Sequence, residues 1–183
     1  REAMPDITMP ALAKYPGGEE RARWHIEEGI ATFEQYLGVR PAGCWPSEGG
    51  ISEATLRQLE EHGFSWAASG ESVFRHSMAH PANKNTAANS LYQGFRVGDG
   101  RLACFFRDDG LSDLIGFTYP DWHADDAVSN LIQHLDNIAD STRNQPGALV
   151  SIILDGENAW EHVPENGYYF LNTLYKRLAA HPG

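Results

Sequence analysis

Two short segments concentrate the groups that could do chemistry. In Leu154-Asp155-Gly156-Glu157-Asn158-Ala159-Trp160-Glu161, three carboxylates and a tryptophan crowd the outlet of the apolar run Ala148-Leu149-Val150-Ser151-Ile152-Ile153-Leu154. In Gly43-Cys44-Trp45-Pro46-Ser47-Glu48-Gly49-Gly50, another carboxylate follows a strand-like run. The C-terminal ends of parallel strands are where βα enzymes gather their catalytic groups. Two carboxyls flanking one bond are what glycoside hydrolysis requires. One donates a proton to the leaving oxygen; the other attacks the anomeric carbon or activates water. A gap of about 5 Å gives retention and a wider one inversion. Glu48 and Asp155 are the natural pair. Burial and the neighbouring charge of Glu157 are the expected means of keeping a proton on Asp155. Taken singly, Glu48 also reads as a solvated acid beside a Gly-Gly turn, and Asp155 as an Asp-Gly turn residue.

Composition narrows the classes. The chain has 183 residues, 42% hydrophobic, with a formal charge of −11. That size supports one good core, so residues 1–183 read as a single domain. The acidic balance argues against nucleic acid and against an anionic membrane surface; it suits a neutral ligand such as a glycan. Cys44 and Cys104 form no CxxC and read as buried thiols. No apolar run is long enough to span a bilayer, and no signal peptide opens the chain at Arg1, so a cytoplasmic protein is expected. A chain that starts at arginine reads as a fragment or an excised domain.

The elements that must position these groups follow from periodicity. Residues 1–18 are proline-punctuated and read as a loop arm over the body formed by residues 19–183. Trp24, Ile26, Ile30, Phe33 and Leu37 mark a helix over Glu19–Leu37, stopped by Gly38. A strand is expected over Ala42–Trp45, then a short helix capped by Ser52 with Leu56 and Leu59 inward and ended by Gly63. Phe64–Ala68 reads as the next strand, Glu71–His76 as a helical turn, and Ser77–Ser90 as a mobile loop. Leu91–Val97 and Arg101–Phe106 read as a hairpin around Gly98-Asp99-Gly100. Leu111–Phe117 suits a short helix. Asp125–Thr142 is the clearest helix, with Val128, Leu131, Ile132, Leu135 and Ile138 in one stripe. The apolar run to Leu154 is a buried strand, and Tyr168–Leu178 is a last amphipathic helix. Strands alternating with helices predict an α/β fold of mostly parallel strands with one hairpin.

Several segments, in order, resemble glycoside hydrolase family 57, the family of α-amylase-like and amylopullulanase-like enzymes, glucanotransferases and branching enzymes. They are Trp45-Pro46-Ser47-Glu48-Gly49, Phe106-Arg107-Asp108, Ser112-Asp113-Leu114-Ile115-Gly116-Phe117 and Leu154-Asp155-Gly156-Glu157-Asn158-Ala159-Trp160-Glu161. The likeness runs from about Tyr15 to Ala180. It implies a partial (β/α)7 barrel and retaining hydrolysis or transfer at α-1,4 or α-1,6 glucosidic bonds of an α-glucan or malto-oligosaccharide. Glu48 would be the nucleophile and Asp155 the general acid/base, with no metal or organic cofactor. The family's N-terminal His-Gln-Pro type motif and a further signature segment are not in this sequence. The chain therefore resembles the later part of the barrel without its N-terminal strands. Reduced or no activity alone is expected, along with self-association or a missing N-terminal barrel segment.

The remaining candidates are substrate contacts. Trp45, Trp66 and Trp160 offer faces for sugar stacking, whereas Trp24 and Trp122 read as core. Ser47 and Glu157 flank the two acids. Arg107, Asp108 and Asp113 follow a strand and read equally as hydroxyl ligands, as carboxylate-orienting groups or as a structural ion pair. Two other classes compete. The spacing His76-Ser77-Met78-Ala79-His80 resembles the metal pair of metal-dependent polysaccharide deacetylases, although the strand-end aspartates those enzymes need are absent upstream. A non-catalytic glycan-binding or regulatory remnant would keep the aromatics without turnover.

Overall fold

The structure, a computed structural model, describes residues 15–79, 90–157 and 160–182. The chain forms two compact units, one ending at Phe106 and the other beginning at Arg107.

The first unit is built on a parallel sheet in the order β1 (Gly43–Cys44), β2 (Trp66–Ser69), β3 (Ala103–Phe106). Its register pairs Cys44 with Ala67 and Ala67 with Cys104, and sets Ser69 opposite Phe106. Because side chains alternate along a strand, these residues share one face, and that face is where the helices pack. α2 (Glu53–Glu61) contributes buried Leu56 and Leu59, and α3 (Glu71–Ala79) contributes Val73 and Phe74. Ser52 caps α2 by accepting from Thr55 N at 3.2 Å. The opposite face carries Gly43, Trp66 and Phe105; Trp66 is 41% exposed there. Burial pushes the Cys104 thiol up to about 11, so it stays neutral, and raises the half-buried Cys44 as well.

α1 (Gly18–Leu37) ends as expected at Gly38, whose φ is 70° and whose N–H reaches Glu34 O at 2.9 Å. Its stripe is not a core stripe, however. Only Ile30 is buried and Ile26 joins the α2 cluster; Trp24, Phe33 and Leu37 are exposed.

In the second unit, a short helix α4 (Asp109–Asp113) widens into a π-helical turn over Leu114–Thr118. α5 (Ala124–Thr142) and α6 (Tyr168–Ala179) follow. One core joins them: Leu111, Ile115, Tyr119, Val128, Leu131, Ile132 and Phe170, with Val150 and Leu154 packed against it. Trp122, expected in a core, is exposed.

The α/β architecture is the expected one, with parallel pairing throughout the named strands and the layout of part of a barrel. Two expected strands are much shorter than the sequence suggests. The hairpin is reduced to one antiparallel bridge, Phe95 with Cys104, and Phe95 packs its side chain against the α3 cluster. The run Ala148–Leu154 pairs only at Ser151, with Arg107. The expected arm over 1–18 and loop over 77–90 lie largely outside the described residues, but α3 extends through Ser77–Ala79. Among the described residues no helix is long and apolar enough to cross a membrane.

Leu131 is 1% exposed at the centre of the second unit's core. Leu131→Ala is expected to cost about 2–5 kcal/mol through lost transfer energy and the cavity left behind. A urea midpoint lowered by that amount at unchanged slope would bear this out.

Candidate active site

In the first unit, β1 delivers Trp45 and Pro46 into a single 3-10 turn over Ser47–Gly49. Glu48 sits at its middle with φ 55° and ψ 22°, a left-handed conformation that a residue with a Cβ adopts rarely. Such a conformation costs on the order of 1–3 kcal/mol and persists only where the surroundings enforce it. Here they do. Gly49 N donates to Pro46 O at 2.9 Å, and Gly50 N to Ser47 O at 3.0 Å. The buried hydroxyl of Ser69, at the end of β2, donates to Gly49 O at 2.5 Å. Gly49 is itself left-handed, and a Cβ there would stand 3.0 Å from the Trp45 ring and 3.1 Å from Gly70 N. The turn is thus fixed from both sides, with Glu48 and Ser47 exposed and Trp45 38% exposed.

Trp66 is seated by a different device. Its register partner in β1 is Gly43, and a Cβ on Gly43 would overlap the indole ring. The ring lies over that glycine and meets Phe105 edge-on, with centroids 6.4 Å apart at 73°. The pair forms an apolar wall on the face of the sheet opposite α2 and α3.

In the second unit, Asp155 and Glu157 stand exposed in a turn just past Leu154. The burial expected of Asp155 is not found. What holds its segment is polar. Asp108 N donates to Ser151 O at 2.9 Å. Arg107 Nε donates to Ile153 O at 2.9 Å, and Ile153 N donates to Ser112 Oγ at 3.2 Å. The other two nitrogens of Arg107 donate to Asp109 (2.8 Å) and Asp113 (2.7 Å). Burial works against the Arg107 charge, but these hydrogen bonds to Asp113 and Asp109 outweigh it and hold its pKa above the ordinary guanidinium range. Asp108 is buried and caps α4, accepting from Leu111 N at 2.8 Å. Arg107, Asp109 and Asp113 therefore form one ion-pair network along α4, beside the Asp108 cap at its start. Trp160 is half-buried: its ring covers Gly167, where a Cβ would stand 2.5 Å away, and lies 6.1 Å from the Phe170 ring.

The family model of glycosyl hydrolase family 57 matches residues 8–183. The chain belongs to that family. Its segments around Glu48 and Asp155 are thus those of a glycoside hydrolase domain; Glu48 follows the C-terminal end of β1, where such chemistry gathers, whereas Asp155 follows a segment that pairs only at Ser151. Among curated proteins no match to the chain is found. No group of three metal-ligating side chains occurs among the described residues, and His80, half of the spacing that suggested a deacetylase, lies outside them.

Sequence reasoning missed Gly43, Ser69 and Ser112. Gly43 and Ser69 act through cross-strand register, which a single sequence does not display. Ser112 left a trace: it lies on the inward stripe with Leu111 and Ile115, a polar residue where an apolar one belongs.

Gly43→Ala would force the Trp66 ring from its seat. A destabilisation of about 1–3 kcal/mol is expected from overpacking, together with a shifted tryptophan emission maximum. Unchanged emission and unchanged stability would contradict the seating.

Proposed function

We propose that this family 57 domain acts on α-glucans by the retaining, double-displacement route, as hydrolase or transglycosidase. Glu48 attacks the anomeric carbon while Asp155 gives its proton to the leaving glycosidic oxygen, so the C1–O bond breaks as the glycosyl ester to Glu48 forms. The Asp155 carboxylate then takes a proton from water or from an acceptor sugar hydroxyl. That oxygen attacks C1 and frees Glu48. The observation that carries this reading is the left-handed backbone of Glu48, a strained residue held in place by a turn, a buried serine and a tryptophan. Strain of this kind concentrates at functional sites. Two carboxyls suffice for the chemistry, and no step calls on a metal or organic cofactor.

The substrate contact beside Glu48 in this reading is the aromatic face of Trp45, with Ser47 and Glu157 beside the acids; Trp66 opens β2, at the far end of the strands from the Glu48 turn, and would meet only a more distant sugar unit. Pyranose C–H faces suit such walls, and an uncharged malto-oligosaccharide suits a chain of net charge −11. Trp160, with its ring over Gly167, would offer a sugar only its outer edge.

A sheet with β1 at its edge and an exposed Trp66 ring presents surfaces that further barrel strands or a second copy would cover. Full activity in this reading needs that completion, so the chain alone is expected to turn over slowly but measurably.

The test is covalent trapping, which does not need fast turnover. A 5-fluoro-α-maltosyl fluoride is expected to add one glycosyl mass at Glu48, located by peptide mass spectrometry, and none in Glu48→Gln. Asp155→Asn is expected to lower malto-oligosaccharide turnover by about 10²-fold or more, with the α-anomer as first product. Labelling elsewhere, or a β-anomer as first product, would defeat the proposal. Glucan binding with neither labelling nor turnover in any variant would instead support a binding remnant.

A further inference from the structure

We infer that Ser112, with Arg107, is a positioning residue for Asp155: its buried hydroxyl replaces a strand partner that the chain withdraws when it turns into α4. The inference rests on the acid/base role proposed for Asp155.

The argument is one of hydrogen-bond register. Ser151 pairs in parallel with Arg107, and Asp108 N donates to Ser151 O at 2.9 Å. In a continued parallel ladder the next two bonds are fixed by geometry. Ile153 N would donate to Asp108 O, and Gly110 N would donate to Ile153 O. Neither is available in that form, because the chain leaves the extended conformation at Asp108 and begins a helix. Asp108 O instead accepts from Ser112 N, at 3.1 Å, as the first helical acceptor. Gly110 lies within that helix.

Side chains fill both vacant rungs. Ser112, whose N–H took the Asp108 carbonyl, returns an acceptor of its own: Ser112 Oγ receives Ile153 N at 3.2 Å. Arg107 Nε takes the donor place of Gly110 N and reaches Ile153 O at 2.9 Å. The guanidinium cannot swing away freely, since Asp109 and Asp113 hold its other two nitrogens at 2.8 and 2.7 Å. Both polar atoms of Ile153 are therefore held as a strand would hold them, two residues before Asp155.

Ser112 is 0% exposed, between the core residues Leu111 and Ile115. An alanine would fill nearly the same volume there. Only a hydroxyl in that place satisfies the half-buried Ile153 amide, and an amide left without its partner there drives its segment to move until it finds one. Movement at Ile153 is transmitted to Asp155 through a single intervening residue. A displacement near 1 Å at a catalytic group costs roughly 10²-fold in rate.

The experiment compares Ser112→Ala, Ser112→Thr and Asp155→Asn. Amide exchange at Ile153 is expected to quicken at least about tenfold in Ser112→Ala and to return towards the parent rate in Ser112→Thr, which keeps the oxygen. In kinetics, the readout is kcat/KM on two substrates: maltoheptaose, whose leaving group needs a proton, and 2,4-dinitrophenyl α-maltoside, whose leaving group hardly does. Ser112→Ala is expected to lose about 10- to 100-fold on the first and less than about threefold on the second, following the pattern of Asp155→Asn. A merely structural role would lower both alike, and that result, or unchanged Ile153 exchange, overturns the inference. Where Ser112→Ala does not fold, Arg107→Lys removes the other rung and is expected to give the same contrast; equal losses on both substrates there also overturn it. If Asp155→Asn itself shows no contrast, the acid/base reading falls and the positioning role with it. If Asp155→Asn shows it and Ser112→Ala does not, only the positioning role falls.

Discussion

A chain that turns from strand into helix swings its peptide groups away from the neighbouring strand, and much of the second unit is arranged around that constraint. The chain passes from strand to helix at Asp108, whose carbonyl goes to the helix and whose carboxylate caps it. Segment 151–154 would be left with unpaired peptide groups along that edge, each costing about 1–3 kcal/mol if buried. Arg107 and Ser112 supply the missing partners. With its polar edge satisfied, the segment can set Val150 and Leu154 against the α5–α6 core. The apolar packing and the polar clamp are thus two sides of one solution, and the turn bearing Asp155 and Glu157 starts from a segment held on both.

The first unit meets a different demand, which is to carry a strained residue. The left-handed Glu48 costs on the order of 1–3 kcal/mol. Against it stand the turn bonds of Gly49 and Gly50 and the Ser69 bond, each contributing about 0.5–1.5 kcal/mol net. The two sides are of the same size, so the conformation is sustained but has little to spare. Glycine makes the arrangement possible at two points. Gly49 continues the left-handed turn beneath Trp45, and Gly43 leaves room for Trp66.

Helices were the legible part of the sequence. α1, α2, α5 and α6 lie within a residue or two of the spans their periodicity and caps predict, because caps and 3.6-residue stripes are local properties. The α1 stripe shows the limit of that reasoning. Its period fixes a helix, but what covers Trp24, Phe33 and Leu37 is not written in the helix itself. Strands were less legible for the same reason. The run Ala148–Leu154 has the composition of a full buried strand, yet its ladder is set by what Asp108 does next. The two carboxylates were legible as residues that follow apolar runs. Ser69, which bonds the turn of Glu48 from the next strand, was not legible, and Ser112, which bonds Ile153, showed only as a polar residue on an apolar stripe.

The two acids are placed by unlike means, and the difference suits the roles proposed for them. A nucleophile forms a covalent bond and must approach one carbon along one line, so a rigid backbone turn with a fixed φ is an apt mount for Glu48. A proton donor and acceptor works through hydrogen bonds to two different oxygens in the two half-reactions. An exposed turn suits that work, because it keeps Asp155 free to rotate while its root at Ile153 stays fixed. Burial of the kind expected from sequence would have restricted that motion. On this argument the clamp sits two residues upstream because the carboxylate itself has to remain adjustable.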